Sequence, residues 1–129
     1  MRSKSLAAAA IAFGVAALGL GVATAQTPPA PVDDALMATL MADGQALYGS
    51  TCRSCHGAQG EGGNGPELAG YSLLANAQTV INQTINGGGY MPPFGYLDNH
   101  SIAAVSTYIR NAWGNAFGPV TEGEVAALR

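Results

Sequence analysis

Cys52-Arg53-Ser54-Cys55-His56 is the stretch on which the reading of this chain turns. Its CxxCH spacing reads as a c-type haem attachment site. Two thiols three positions apart sit about one helical turn from each other. Each can then form a thioether to one porphyrin vinyl group, and the next residue projects an imidazole towards the iron, as a His-held haem requires. The same residues are compatible with a structural disulfide, a thioredoxin-like redox pair or half of a zinc site. Zinc would need two further ligands, and His100 is the only other histidine. A redox pair belongs in a βαβ context, and no alternating strand pattern of useful length occurs in the chain.

Export is a precondition for this attachment, and the first residues supply its signals. Arg2 and Lys4 form a positive start, Leu6 to Ala23 is apolar and rich in Ala and Gly, and Ala23-Thr24-Ala25 is an A-x-A cleavage site. The pattern predicts a secretory signal peptide over residues 1–25 and, after cleavage, no stable membrane anchor. The competing reading is a retained anchor, since the apolar run is about as long as the 17 to 25 residues of a spanning helix. Cleavage after Ala25 leaves one small domain's worth of chain. It also leaves three arginines, Arg53, Arg110 and Arg129, against eight carboxylates, a formal charge of −5 with no lysine. Phosphate binding needs clustered Lys and Arg, so nucleic acid is excluded as a partner class.

Residues 26–33 begin QTPPAPV, and three prolines in those seven residues favour an extended, flexible linker. The folded domain is expected over 34–129. Asp33 or Asp34 can cap a first helix running to about Gly49, with Leu36, Leu40 and Leu47 at near-helical spacing. Gly44 lies inside that helix, which suggests a close crossing by another element. The segment Gly57 to Gly70, dense in glycine and containing Pro66, is a loop. Asn76 caps a short helix that Gly87 ends. Asp98 or Ser101 caps another, whose apolar face of Ile102, Val105, Tyr108, Ile109 and Trp113 stops at Gly114. Thr121 with Glu124 fits a capping box for a last short helix through Leu128. The fold class is all-α: three main helices, a short carboxy-terminal helix, and long Gly/Pro-rich loops.

Such a chain has little large apolar surface, and small domains commonly need a staple. A covalently held haem would supply an apolar disc for short helices to pack around. With His56 on one side of the iron, Met91 is the best-placed residue for the other. It lies in a Gly- and Pro-flanked stretch able to wrap around the haem edge, whereas Met37 and Met41 sit in the helix leading into CxxCH. His100 stands near a helix start and reads as a solvent-facing polar residue.

The runs GQALYGSTCRSCHG, NGPELAG, INGGGYMPPF and IAAVSTYIRNAWGNAFGPVTEGEVAALR, in this order, resemble a class I cytochrome c of the bacterial periplasm, over about Asp43 to the carboxy terminus. The resemblance implies the cytochrome c fold around one covalent haem c, with Cys52 and Cys55 in thioether bonds and His56 and Met91 as axial ligands. It implies that the Pro66 carbonyl orients His56, and that the Gly44 and Tyr48 face of the first helix packs on the Val105 and Tyr108 face of the last main helix. The tail is similar to small cytochrome subunits and partners of periplasmic dehydrogenases. The implied function is one-electron transfer rather than catalysis, from a dehydrogenase donor to an oxidase or reductase acceptor. The chain lacks a lysine ring, so docking is expected to use apolar residues near the CxxCH loop and Met91-Pro92-Pro93-Phe94, with Arg53 or Arg110 as polar anchors. The alternatives are a permanent subunit of a dehydrogenase complex, a sensor or peroxidase-type haem protein with an open iron, and a haem-free exported binding module with Cys52 and Cys55 in a disulfide.

Overall fold

Asp33 accepts a hydrogen bond from the Leu36 amide at 2.7 Å and so caps α1, Asp34–Leu47. The protein is seen here as a computed structural model that describes residues 32–129. The expected signal peptide, and the proline-rich linker as far as residue 31, lie outside the described residues.

Helical backbone does not stop at Gly49 as expected. It passes through a π-helical turn, Tyr48–Cys52, in which the Arg53 amide donates to the Tyr48 carbonyl, and continues as α2, Arg53–His56. One extra residue in a turn rotates the side chains that follow by about 100°. The thiols and imidazole therefore face a different direction from the one a straight α1 would give them. A 3-10 turn, Ser72–Ala75, precedes α3, Ala77–Asn86, which Asn76 caps by accepting from the Thr79 amide. Asp98 caps α4, Asn99–Asn111, and Thr121 with Glu124 forms the capping box of α5, Glu122–Ala126. The described residues contain no strand, only an isolated bridge between Gly88 and Met91. No helix among them is long and apolar enough to cross a membrane.

Two apolar clusters flank the place where α1 meets α4. Leu40, Ile81, Ile102, Val120 and Val125 centre one, and Tyr48, Leu68, Leu74, Val80 and Val105 the other. Each buried aliphatic side chain contributes roughly 1.5–3 kcal/mol. Gly44 is buried where the helices cross: a β-carbon there would fall on the Ala104 carbonyl and 2.7 Å from Tyr108 Cβ. Tyr48 packs beside it, with its ring centroid 5.5 Å from that of Tyr108.

Trp113 does not extend the apolar face of α4, as its spacing suggested. The helix ends at Asn111, and Trp113 takes a left-handed backbone conformation at φ 55°. Its ring turns back onto Tyr48 and Tyr108, with centroids 5.0 and 5.4 Å away. Such a backbone costs roughly 1–2 kcal/mol, and aromatic pairing worth about 0.5–1.5 kcal/mol per pair offsets it.

Arg110 departs further from expectation. It is 4% exposed, too deep to anchor a partner. Its guanidinium donates to the carbonyls of Leu74, Ala75, Phe117 and Pro119 at 2.6 to 3.2 Å. A buried charge without such partners would be strongly destabilising. Asn115 is buried too: its amide nitrogen donates to the Leu68 and Ile109 carbonyls, and its oxygen accepts from the Gly70 amide.

His100 links three helices. Its Nε2 lies 2.8 Å from Asp43 of α1 and its Nδ1 3.1 Å from Glu122 of α5. Both nitrogens can donate only in the imidazolium form, and the hydrogen bond to Asp43, followed by that to Glu122, raises the histidine above its ordinary value.

Gly44→Ala is expected to lower stability by about 1–3 kcal/mol, the usual cost of overpacking, read as a lower midpoint in a circular dichroism melt of the haem-loaded protein. An unchanged midpoint would remove the close-crossing account. A histidine raised on folding contributes stability that is complete below its unfolded value of about 6.5 and disappears as pH rises through its folded value. The melting midpoint should therefore fall as pH rises through that window, and His100→Gln should abolish this portion of the slope. The effect is small, because the side chain is 37% exposed and screened by water.

Candidate functional site

The turn after α2 is built to hold one ring. His56 Nδ1 donates to the Pro66 carbonyl at 2.8 Å. A carbonyl can only accept, so Nδ1 carries a proton, and in the neutral ring Nε2 is the nitrogen with the free lone pair. Gly65 lies against the ring, where a β-carbon would stand 2.8 Å from His56 Cε1. The loop is pinned in place by the Gly62 amide on the His56 carbonyl, 2.8 Å, and the Gly65 amide on the Cys55 carbonyl, 2.9 Å. The glycines and proline that mark this segment as irregular thus serve a close approach of backbone to imidazole.

Across from it, Gly87 ends α3 at φ 65°, Gly88 and Gly89 continue with positive φ, and Gly88 and Met91 exchange backbone hydrogen bonds at 3.0 Å. Three consecutive residues in this region are tolerable only as glycine. A β-carbon on Gly87 would in addition meet the Met91 carbonyl and, at 2.7 Å, the Pro92 carbonyl carbon. The reversal brings the Met91 sulfur back to α3, where Gln83 Nε2 donates to it at 3.6 Å. Phe94 then returns to the helix through its amide on the Thr84 carbonyl, 3.0 Å.

Between these two walls lies a cavity of about 600 Å³, and Cys52, Cys55, His56, Pro66 and Met91 all line it. That size is within the range of about 300–1,000 Å³ usual for ligand sites. The floor is aliphatic and aromatic, with Leu68, Leu74, Val80, Phe94, Val105 and Ile109. Met37, Met41 and His100 are not among the lining residues, nor are any Asp, Glu, Lys or Arg. Both cysteines are free thiols. Burial, helped by the neighbouring Cys55, pushes the Cys52 thiol up to about 11, the reverse of the lowered value that activates redox cysteines. Tyr48 holds the end of α2: its hydroxyl, pushed up to about 12 by burial, donates to the Gly57 carbonyl at 2.7 Å.

The residues present fit a haem c. An apolar slot has two free thiols at one wall, an imidazole with its outer nitrogen unengaged, and a thioether on the opposite loop. Sequence reasoning missed Gln83, Asn115 and the structural use of Arg110. None of the three carried a local signal, since each depends on partners that the fold brings to it.

Residues 39–109 match the family described as cytochrome c oxidase, cbb3-type, subunit III. A cytochrome c-552 of Thermus thermophilus is 33% identical, over 72% of this chain and 78% of that protein. The fructose dehydrogenase cytochrome subunit of Gluconobacter japonicus is 31% identical over 70% of this chain, which spans only 23% of that subunit. Among solved structures, cytochrome cL of the marine methylotroph Methylophaga aminisulfidivorans superimposes with a TM-score of 0.54 at 23% identity, covering 71% of this chain and 70% of that one, a likeness of fold. With its all-α architecture and an apolar cavity lined by the CxxCH residues, this chain belongs to the cytochrome c family, whose members carry haem c.

Proposed function

We propose that the protein is an exported one-electron carrier holding one haem c. The observation that carries this reading is the convergence of Cys52, Cys55, His56 and Met91 on a single cavity. A haem bound there supplies reversible Fe(II)/Fe(III) chemistry. Cys52 and Cys55 would anchor it through thioethers, and the Pro66 carbonyl holds the His56 ring and raises its basicity, so that Nε2 would serve as a ligand. Met91 offers a soft sulfur from the other side. This ligand favours the reduced iron, and an apolar surround disfavours added positive charge, so both raise the potential. Were His56 and Met91 both to ligate the iron, no position would be left for a substrate, which separates a carrier from a sensor or peroxidase.

The sequence pattern of residues 1–25 supports periplasmic location after cleavage. Similarity to a dehydrogenase cytochrome subunit supports a dehydrogenase as donor, with an oxidase or reductase as acceptor. Tyr71, Leu73 and Tyr90 line the cavity and are 42%, 56% and 102% exposed. Together with the absence of Asp, Glu, Lys and Arg from the described lining, they favour a partner that meets this face with apolar contacts. Electron-transfer encounters of this kind bury less than about 1,200 Å². A permanent subunit would need a larger interface.

Met91→Ala should retain haem staining on a denaturing gel, lose the weak ferric sulfur-to-iron band in the visible spectrum, lower the potential, and let the reduced protein bind carbon monoxide. Unchanged resistance to carbon monoxide would remove Met91 from the iron. Replacing Cys52 and Cys55 together by Ser should abolish the stain. Oxidation of the reduced protein by respiring membranes of its host should change little as ionic strength rises from about 0.01 to 0.15 M, although the Debye length falls from about 30 to 8 Å. Tyr90→Lys should slow it. A rate that collapses with salt would point to charge-steered docking instead.

A further inference from the structure

Gln83 is the one side chain among the described residues whose hydrogen bond ends on the Met91 sulfur, with Nε2 at 3.6 Å. The contact is prepared by the backbone on both sides. Gln83 lies in the last turn of α3, and its own carbonyl accepts from the Gly87 amide at 2.9 Å, the bond that starts the reversal. The Gly88 and Met91 bridge closes that reversal, and a β-carbon on Gly88 would come within 3.3 Å of the same Gln83 nitrogen. One amide therefore bears on both the turn and the sulfur, and it lines the cavity with them.

We infer that Gln83 is a positioning residue for Met91, donating to one sulfur lone pair while leaving the other for the iron. This rests on the reading of Met91 as an axial ligand. A thioether sulfur has two lone pairs, so the two roles do not compete. The donated hydrogen bond fixes the side-chain torsions of Met91, and with them the lone pair presented to the cavity. It also withdraws electron density from the sulfur. The oxidised iron depends more on donation from its ligands than the reduced iron does, so a weaker donor raises the potential.

The test compares the haem-loaded protein with Gln83→Leu and Gln83→Ala, using Gln78→Leu on the same helix as control. Removing the donor should shift the redox equilibrium towards the oxidised form by about twofold to tenfold, the equivalent of one hydrogen bond, where tenfold is 59 mV for one electron. The ferric sulfur-to-iron band should move or broaden, and Gln78→Leu should alter neither. A merely structural role would lower the melting midpoint and leave potential and band where they were, and that result overturns the inference. If the band is missing from the unsubstituted protein, or survives Met91→Ala, the axial reading fails first, and is seen to fail without reference to Gln83. Either Gln83 variant alone suffices should the other not fold.

Discussion

The close crossing of α1 and α4 at Gly44 is the constraint on which the other elements depend. A side chain of any size there meets the Ala104 carbonyl and the Tyr108 side chain, so glycine is what lets the helices touch backbone to backbone. That contact joins segments far apart in the chain and closes everything between them into one loop. Both apolar clusters lie along it. One wall of the cavity continues directly from α1 through the π-helical turn, and the other hangs from α3, which packs on α4. The separation of His56 from Met91 is thus set, at one remove, by a glycine that approaches neither.

Features governed by short local rules were legible in the sequence. Asp33, Asn76, Asp98 and Thr121 each cap the helix that follows them, because a side-chain oxygen near exposed amides needs no distant partner. Gly44 was also legible as a packing site, since a glycine inside a helix is costly unless something approaches it. Periodicity failed at the ends. The π-helical turn has no residue type that announces it, and Trp113 kept the helical spacing of α4 while its backbone had already left the helix.

Charge misled at Arg110. Arginines are mostly exposed, and nothing nearby in sequence reveals that carbonyls from two separate segments, Leu74 with Ala75 and Phe117 with Pro119, converge on it. Asn115 illustrates the same difficulty, since its partners Gly70 and Leu68 stand 45 and 47 residues earlier in the chain. In the candidate site, spacing singled out Cys52, Cys55 and His56, and a Gly- and Pro-rich context singled out Met91. The contact between Gln83 and Met91 depends on how sharply Gly87 to Gly89 reverse the chain, a tertiary fact with no local pattern of its own.

The network around Arg110 and Asn111 has a consequence for where this chain tolerates changes of length. Gly118 donates its amide to the Asn111 side chain and its carbonyl accepts back from it, while the Val120 amide bonds Thr107 Oγ1. The Phe117 and Pro119 carbonyls, both polar groups of Gly118 and the Val120 amide are all held by side chains of α4, so lengthening or shortening this connection strands a buried guanidinium. The tip at Gly89 and Tyr90 is different: space around Gly89 is open, and Tyr90 projects fully into solvent. Changes of the Tyr90 side chain fit there without touching the Gly88 and Met91 bridge that encloses it, which leaves one edge of the protein free to diverge in surface chemistry while the connection behind α4 keeps a fixed length.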